Sequence, residues 1–203
     1  MQDDNIRRVL DFWFSATELD APQIDSRMER WFSTDPELDR EIRAAFGGLL
    51  DQALAGKLDH WAATAEGRLA LIILLDQFCR NVYRGSAKAF AGDKAALILC
   101  VEGSMGNGYR SLTALQRVFF FMPLQHAESA GVQSKSVRIF SALAEGVSGT
   151  LRETFLTFSQ FAELHRDIVA RFGRFPHRNR SLGRPNTPEE DAYLAGDAPS
   201  FGQ

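Results

Sequence analysis

Seven apolar residues, Leu69 to Leu75, run without a turn signal into Asp76, Gln77, Arg80, Asn81 and Arg84. A helix that is apolar on every side must be enclosed by other elements, and this one then carries charge on one flank. At about 100° per residue, with Asp76 at zero, Arg80 falls near 40°, Arg84 near 80°, Gln77 near 100° and Asn81 near 140°. The five polar groups share one side. Leu75, Phe78, Cys79, Val82 and Tyr83 hold the other. Two readings fit: the last turns reach solvent and Asp76–Arg80 is an ordinary surface pair, or the flank is one wall of a polar pocket. Charge is scarce on buried faces unless it is paired, so partners from other segments decide between them.

The rest of the chain is also helical in its periodicity. Ile6, Val9, Leu10 and Trp13 form the stripe of a first helix. A second is expected over Ile24 to Phe32. A third opens at Asp35-Pro36 and ends at Gly56, and a fourth covers Thr64 to Arg84 with Gly85 in a left-handed cap. A fifth spans Ala87 to Val101, ahead of a turn-rich loop at 103–108, and Ser111 can cap a sixth that Pro123 ends. A seventh runs from Gln125 to Glu145. Capping boxes at Thr150/Glu153 and Thr187/Glu190 open an eighth and a short ninth. No segment alternates like a strand. The expected fold is all-α, with eight or nine helices in antiparallel hairpins, either a compact bundle or a stacked superhelix. At 203 residues one domain over 1–203 is the default.

A net charge of −3 and a pI near 5.8 leave no footprint for a nucleic-acid backbone, so none is expected as a partner. Cys79 and Cys100 sit in apolar helical patterns, which suits buried thiols in a reducing compartment. The amino-terminal residues lack the pattern of a secretory signal, and no apolar run approaches the ~20 residues of a membrane span. A soluble, cytoplasmic protein with no membrane partner is expected.

Two further segments can face the polar flank. In PLQHAESAGVQ, residues 123–133, His126 and Gln133 are seven apart and line up with Val137 and Phe140 on one expected stripe, with Glu128 between them. In FPHRNRSLGR, residues 175–184, a loop offers His177, Arg178, Asn179 and Arg184. His165, on the stripe of the eighth helix, reads as structural, with a place facing the same cavity as the alternative. If the segments converge, Arg80, Arg84, Arg178 and Arg184 outnumber Asp76 and Glu128 by two charges. Buried ions without counter-charge are costly, so such a site must open to water or accept an anion. Guanidinium forks suit carboxylate or phosphate.

The motifs LALIILLDQFCRNVYRGSAKAFAGDKAA, FFFMPLQHAESAGVQSKSVRIF and FPHRNRSLGRPNTPEE, with VLDFWF and ERWFSTDPELDREIRAAF before them, resemble the bacterial family called domain of unknown function 924. The likeness extends over nearly the whole chain. It implies a tetratricopeptide-like helical fold and a polar signature over the same residues, Gly183 included, and it implies no activity. Cys79 stands where the family often has proline, so this helix is expected to run straighter. Gln125 and Ser129 stand where acidic residues are common.

Three functions follow as expectations. One is a pocket binding a small anionic ligand through Asp76, Gln77, Arg80, Asn81, Arg84, His126, Glu128, Gln133, His177, Arg178, Asn179 and Arg184. Another is an enzyme using His126 or His177 as acid or base with Glu128 or Asp76 orienting it, although no nucleophile motif or cofactor fingerprint is present. The last is a scaffold for a protein or peptide partner, by analogy of fold alone. No cofactor is implied and no metal is expected, because arginines disfavour a cation.

Overall fold

A computed structural model of the chain describes residues 4–15, 21–196, 198, 199 and 201. Among these residues there are helices and no strands. Helix α1 (Asp4–Phe14) and α2 (Ala21–Phe32) precede α3 (Pro36–Leu54). Asp35 caps α3 by accepting from the Glu37 N–H, with Pro36 in the first turn. Gly56, at φ +70°, turns the chain beyond its end. The long apolar helix begins as α4 (Ala65–Ile72), widens into a π-helical turn (Ile73–Phe78) and finishes as α5 (Cys79–Val82). After it come α6 (Asp93–Met105), α7 (Ala114–Gln125), α8 (Ala130–Glu145), α9 (Leu151–Phe172), the single turn α10 (Asn179–Leu182) and α11 (Pro188–Leu194).

The apolar helix lies at the centre, as its composition demands: Leu69 to Leu75, Phe78 and Cys79 are all buried in one core with residues of α1, α3, α6, α7 and α9. The aromatic side of that core joins Trp13, Trp31, Phe78 and Phe119 through edge-on contacts of 4.8–5.7 Å and a tilted Trp13–Trp31 contact of 6.2 Å. Helices α8 and α9 pair as a hairpin, with Ser141 Oγ 3.2 Å from Ser159 Oγ. A smaller cluster, Ile168, Val169 and Phe175, gathers Phe172, Tyr193 and Phe201 at the far end of α9. No helix among the described residues is long and apolar enough to cross a membrane. Both cysteines are free and buried.

Several local expectations are corrected. The central helix is not a plain α-helix: the Cys79 N–H reaches Leu74 O, a five-residue step, and π turns of this kind recur at functional sites. Where a proline would supply no N–H, Cys79 closes the wide turn. Gly92 packs against this turn so closely that a Cβ there would sit 2.2 Å from Leu75 O, which breaks the expected fifth helix into a 3₁₀ turn (Ala87–Phe90) and α6. Thr113, not Ser111, caps α7 in a reciprocal box with Gln116. Pro123 lies inside α7, which continues to Gln125. His126 is therefore the cap of α7, and Gln133 belongs to α8, so the two do not share a stripe on one helix. Thr150 makes no side-chain cap, whereas the Thr187/Glu190 box is formed.

Candidate functional site

The π turn and α5 bring Asp76, Gln77, Arg80 and Asn81 to one end of the central helix. Gly85, at φ +76°, turns the chain just after Arg84. The cap of α7 brings His126, and the reversal after α9 brings His177 and Arg178. That reversal needs Gly173 at φ +71° to end α9 and Phe175–Pro176 to start a 3₁₀ turn. These segments enclose a cavity of about 360 Å³ lined by Gln77, Arg80, Asn81, Arg84, His126, His177 and Arg178.

The cations on this wall are backed by carboxylates. Asp76 is fully buried directly behind it, with an oxygen 2.7 Å from His126 Nδ1 and the other accepting from Gln77 Nε2 at 2.5 Å. Arg80 donates to the Asp76 backbone carbonyl at 2.8 Å, stands 3.3 Å from its carboxylate and forks onto Asp93 at 2.8 and 3.1 Å. Arg84 forks onto Asp39 at 2.7 and 2.9 Å, and Asn81 donates to the same carboxylate at 2.8 Å. Sequence reasoning missed both Asp39 and Asp93. Each lies in the first turn of its helix, where an acid reads as a complement to the helix dipole. Their presence corrects the charge count: Arg80, Arg84 and Arg178 face Asp39, Asp76 and Asp93, and the expected surplus of positive charge is gone.

Arg178 is the least satisfied of these cations. It is 6 % exposed, its guanidinium carbon lies 4.8 Å from the ring centre of Phe90 and 4.5 Å from that of Phe175, and its Nη1 donates to an Asp93 oxygen at 3.2 Å. Asp93 is already engaged by Arg80. The buried Nε of Arg178 has no acceptor among the described residues. Burial, then the charge of Arg80, push its guanidinium down to about 10.

Burial alone would raise Asp76, but His126, Arg80 and the Gln77 amide outweigh it and hold the carboxyl below the ordinary range. Burial and the nearby Arg80 lower His126, against the pull of Asp76. The consistent state is an ionised carboxylate, which only accepts, and a neutral imidazole whose Nδ1–H donates to it. The lone pair then sits on Nε2. Burial likewise pushes His165 and His177 down to about 3.

The remaining anticipated residues stand outside the cavity lining. Arg184 forks onto Glu128 at 2.7 and 2.9 Å, and Glu128 also accepts the Phe175 N–H at 2.8 Å, so both are occupied in fixing the loop after α9. Glu128 borders an adjoining pocket that shares Phe90, His126 and Arg178 with the cavity. Asn179 links Asn186 and Arg184, and Gln133 ties down the backbone carbonyls of Gln125 and Ala127 at 2.7 and 2.8 Å. These are supports for the segments that carry His126 and Arg178. In the other direction, the lining includes apolar residues outside the anticipated set, Trp31, Phe32, Met122, Phe158 and Phe161, together with His165. An amphipathic stripe does not distinguish a neighbour from an open cavity.

The family described as "Bacterial protein of unknown function (DUF924)" matches residues 9–198. The chain belongs to this family. The solved structure of a protein of unknown function, ATU0120 from Agrobacterium tumefaciens, is 34% identical to this DUF924 protein, with a TM-score of 0.78 over 94% of this chain and 97% of that one. No curated protein matches the chain. The DUF924 resemblance read from the motifs is thus a membership, and the all-α fold is shared with a relative of similar length.

Proposed function

We propose that the cavity binds a small anionic ligand, a carboxylate or phosphate, through Arg178 with Arg80, Arg84 and Asn81 beside it. The observation that carries this reading is the state of Arg178: buried, stacked between two phenylalanines, and sharing one carboxylate with a second arginine. An anion in the cavity would give this guanidinium a second charge partner beside the Asp93 it shares with Arg80, which neither water-exposed nor fully paired arginines require. The charge surplus counted over the three segments no longer supports the reading; the local deficit at this one guanidinium does. A thermal-shift series with acetate, succinate and inorganic phosphate tests it. Stabilisation that vanishes in Arg178→Met, which keeps the side chain between Phe90 and Phe175 without the charge, supports the reading. Equal stabilisation of both proteins refutes it.

The Asp76–His126 pair favours a second reading, acid–base catalysis on the bound ligand. A buried carboxylate holding a neutral imidazole by Nδ1 leaves Nε2 as a base beside the cavity. Within the wider enzyme hypothesis this favours His126 over His177, and Asp76 over Glu128, whose oxygens serve Arg184 and the Phe175 N–H. Turnover of a ligand identified by the binding series, abolished in His126→Gln with binding retained, distinguishes catalysis from binding alone.

A further inference from the structure

The cavity lining is of two chemical kinds. Besides the arginines it holds an apolar wall of Trp31, Phe32, Met122, Phe158, Phe161 and Phe201. Phe32 and Phe161 are 45 % and 44 % exposed, among the most open large apolar side chains described. They come from α2 and α9, so helices distant in sequence place apolar surface at the same cavity. Phe201 lies against His165 at 4.3 Å between ring centres, extending this surface across two neutral imidazoles. A bare inorganic anion would satisfy Arg178 and leave this wall wet.

From this division we infer that the ligand is a monocarboxylate with an apolar body, its acid group at Arg178 and its body against Phe32, Phe158 and Phe161. The inference rests on the anion-binding reading above and narrows it. Charge selects the head group: three guanidinium groups already face three carboxylates, so a dianionic phosphate would bring two uncompensated charges where a carboxylate brings one. Volume limits the body. The cavity takes a compact ligand and not an extended one. A cavity of 360 Å³ is at the small end for ligand sites, which suits a compact acid rather than a nucleotide or long acyl chain.

Isothermal titration with four probes tests the inference: 3-phenylpropanoate, its neutral isostere 3-phenylpropanamide, acetate and inorganic phosphate. The expected result is that 3-phenylpropanoate binds at least tenfold more tightly than each of the others. Phe161→Ala, a change at an exposed position that leaves the fold intact, should cost 3-phenylpropanoate severalfold in affinity and leave acetate as in the parent protein. Acetate or phosphate binding as tightly as 3-phenylpropanoate overturns the apolar-body inference and leaves the anion reading standing. The amide binding as tightly as the acid, or no probe binding at all, overturns both.

Discussion

The Nδ1 of His126 stands 2.7 Å from a carboxylate oxygen of Asp76, a residue with no solvent exposure. The contact joins the central helix to the end of α7 across 50 positions of sequence. It places a charged group in the core only because Arg80, Gln77 and His126 all supply donors to it. Removing the carboxylate leaves Arg80 with Asp93 as its carboxylate partner and takes from His126 the acceptor of its Nδ1–H. Asp76→Ala is therefore expected to lose about 3–5 kcal/mol, the cost of breaking a buried charge pair from one side, measured by urea denaturation. Nitrogen NMR of labelled histidine should show His126 neutral with its proton on Nδ1 at pH 7. Asp76→Asn should abolish that tautomer preference.

Stability should fall with acid well before ordinary carboxylates titrate. His165 and His177 are held near 3 in the folded chain against an ordinary 6.5. Between those values the unfolded chain binds more protons, so stability rises with pH. Their contribution is complete above about 6.5 and is lost as pH falls towards 3, at up to about 1.4 kcal/mol per pH unit for each histidine. Asp76, lowered in the folded state, adds a further loss in the same direction at lower pH. Denaturation from pH 7 to 4 should show this slope, and His165→Phe should reduce it by removing one of the three lowered histidines, His126 being the third.

Gly92 meets the π turn where a Cβ would lie 2.2 Å from Leu75 O. Backbone cannot yield as a side-chain tip can. Gly92→Ala should destabilise the protein by about 1–3 kcal/mol, as overpacking does. Because Asp93 follows directly, the same change should weaken ligand binding through Arg80 and Arg178, a coupled effect that calorimetry and titration together would resolve.

Two capping motifs of similar sequence should behave differently. Thr187→Ala removes a formed capping box and should cost about 1 kcal/mol. Thr150→Ala removes no cap and should lie within about 0.5 kcal/mol of the parent. Chemical denaturation of the two variants is sufficient to compare them.

That contrast marks where the sequence was legible. The all-α class, a helix count close to that expected, the buried central helix and the glycine turns at 56 and 85 follow from local patterns. The polar flank on Asp76, Arg80 and Arg84 was legible for the same reason, since its angular position depends on residues a few apart. Asp39 and Asp93 were not: the first lies 45 residues from the arginine it binds, and both satisfy a local explanation as first-turn acids. The break at His126 was hidden because His126 and Gln133 stand seven apart in register with Val137 and Phe140, a spacing that a turn between two helices can also produce. The aromatic wall was invisible as a wall because Phe158 and Phe161 look the same facing a neighbour or a cavity.

The most direct measurement follows the Nε resonance of Arg178 in nitrogen-labelled protein while inorganic phosphate and then 3-phenylpropanoate are added. The account predicts a saturable shift of Arg178 with at least one of them, and none for the exposed Arg171. An Arg178 resonance unmoved by both, or moving only as Arg171 does, would contradict it.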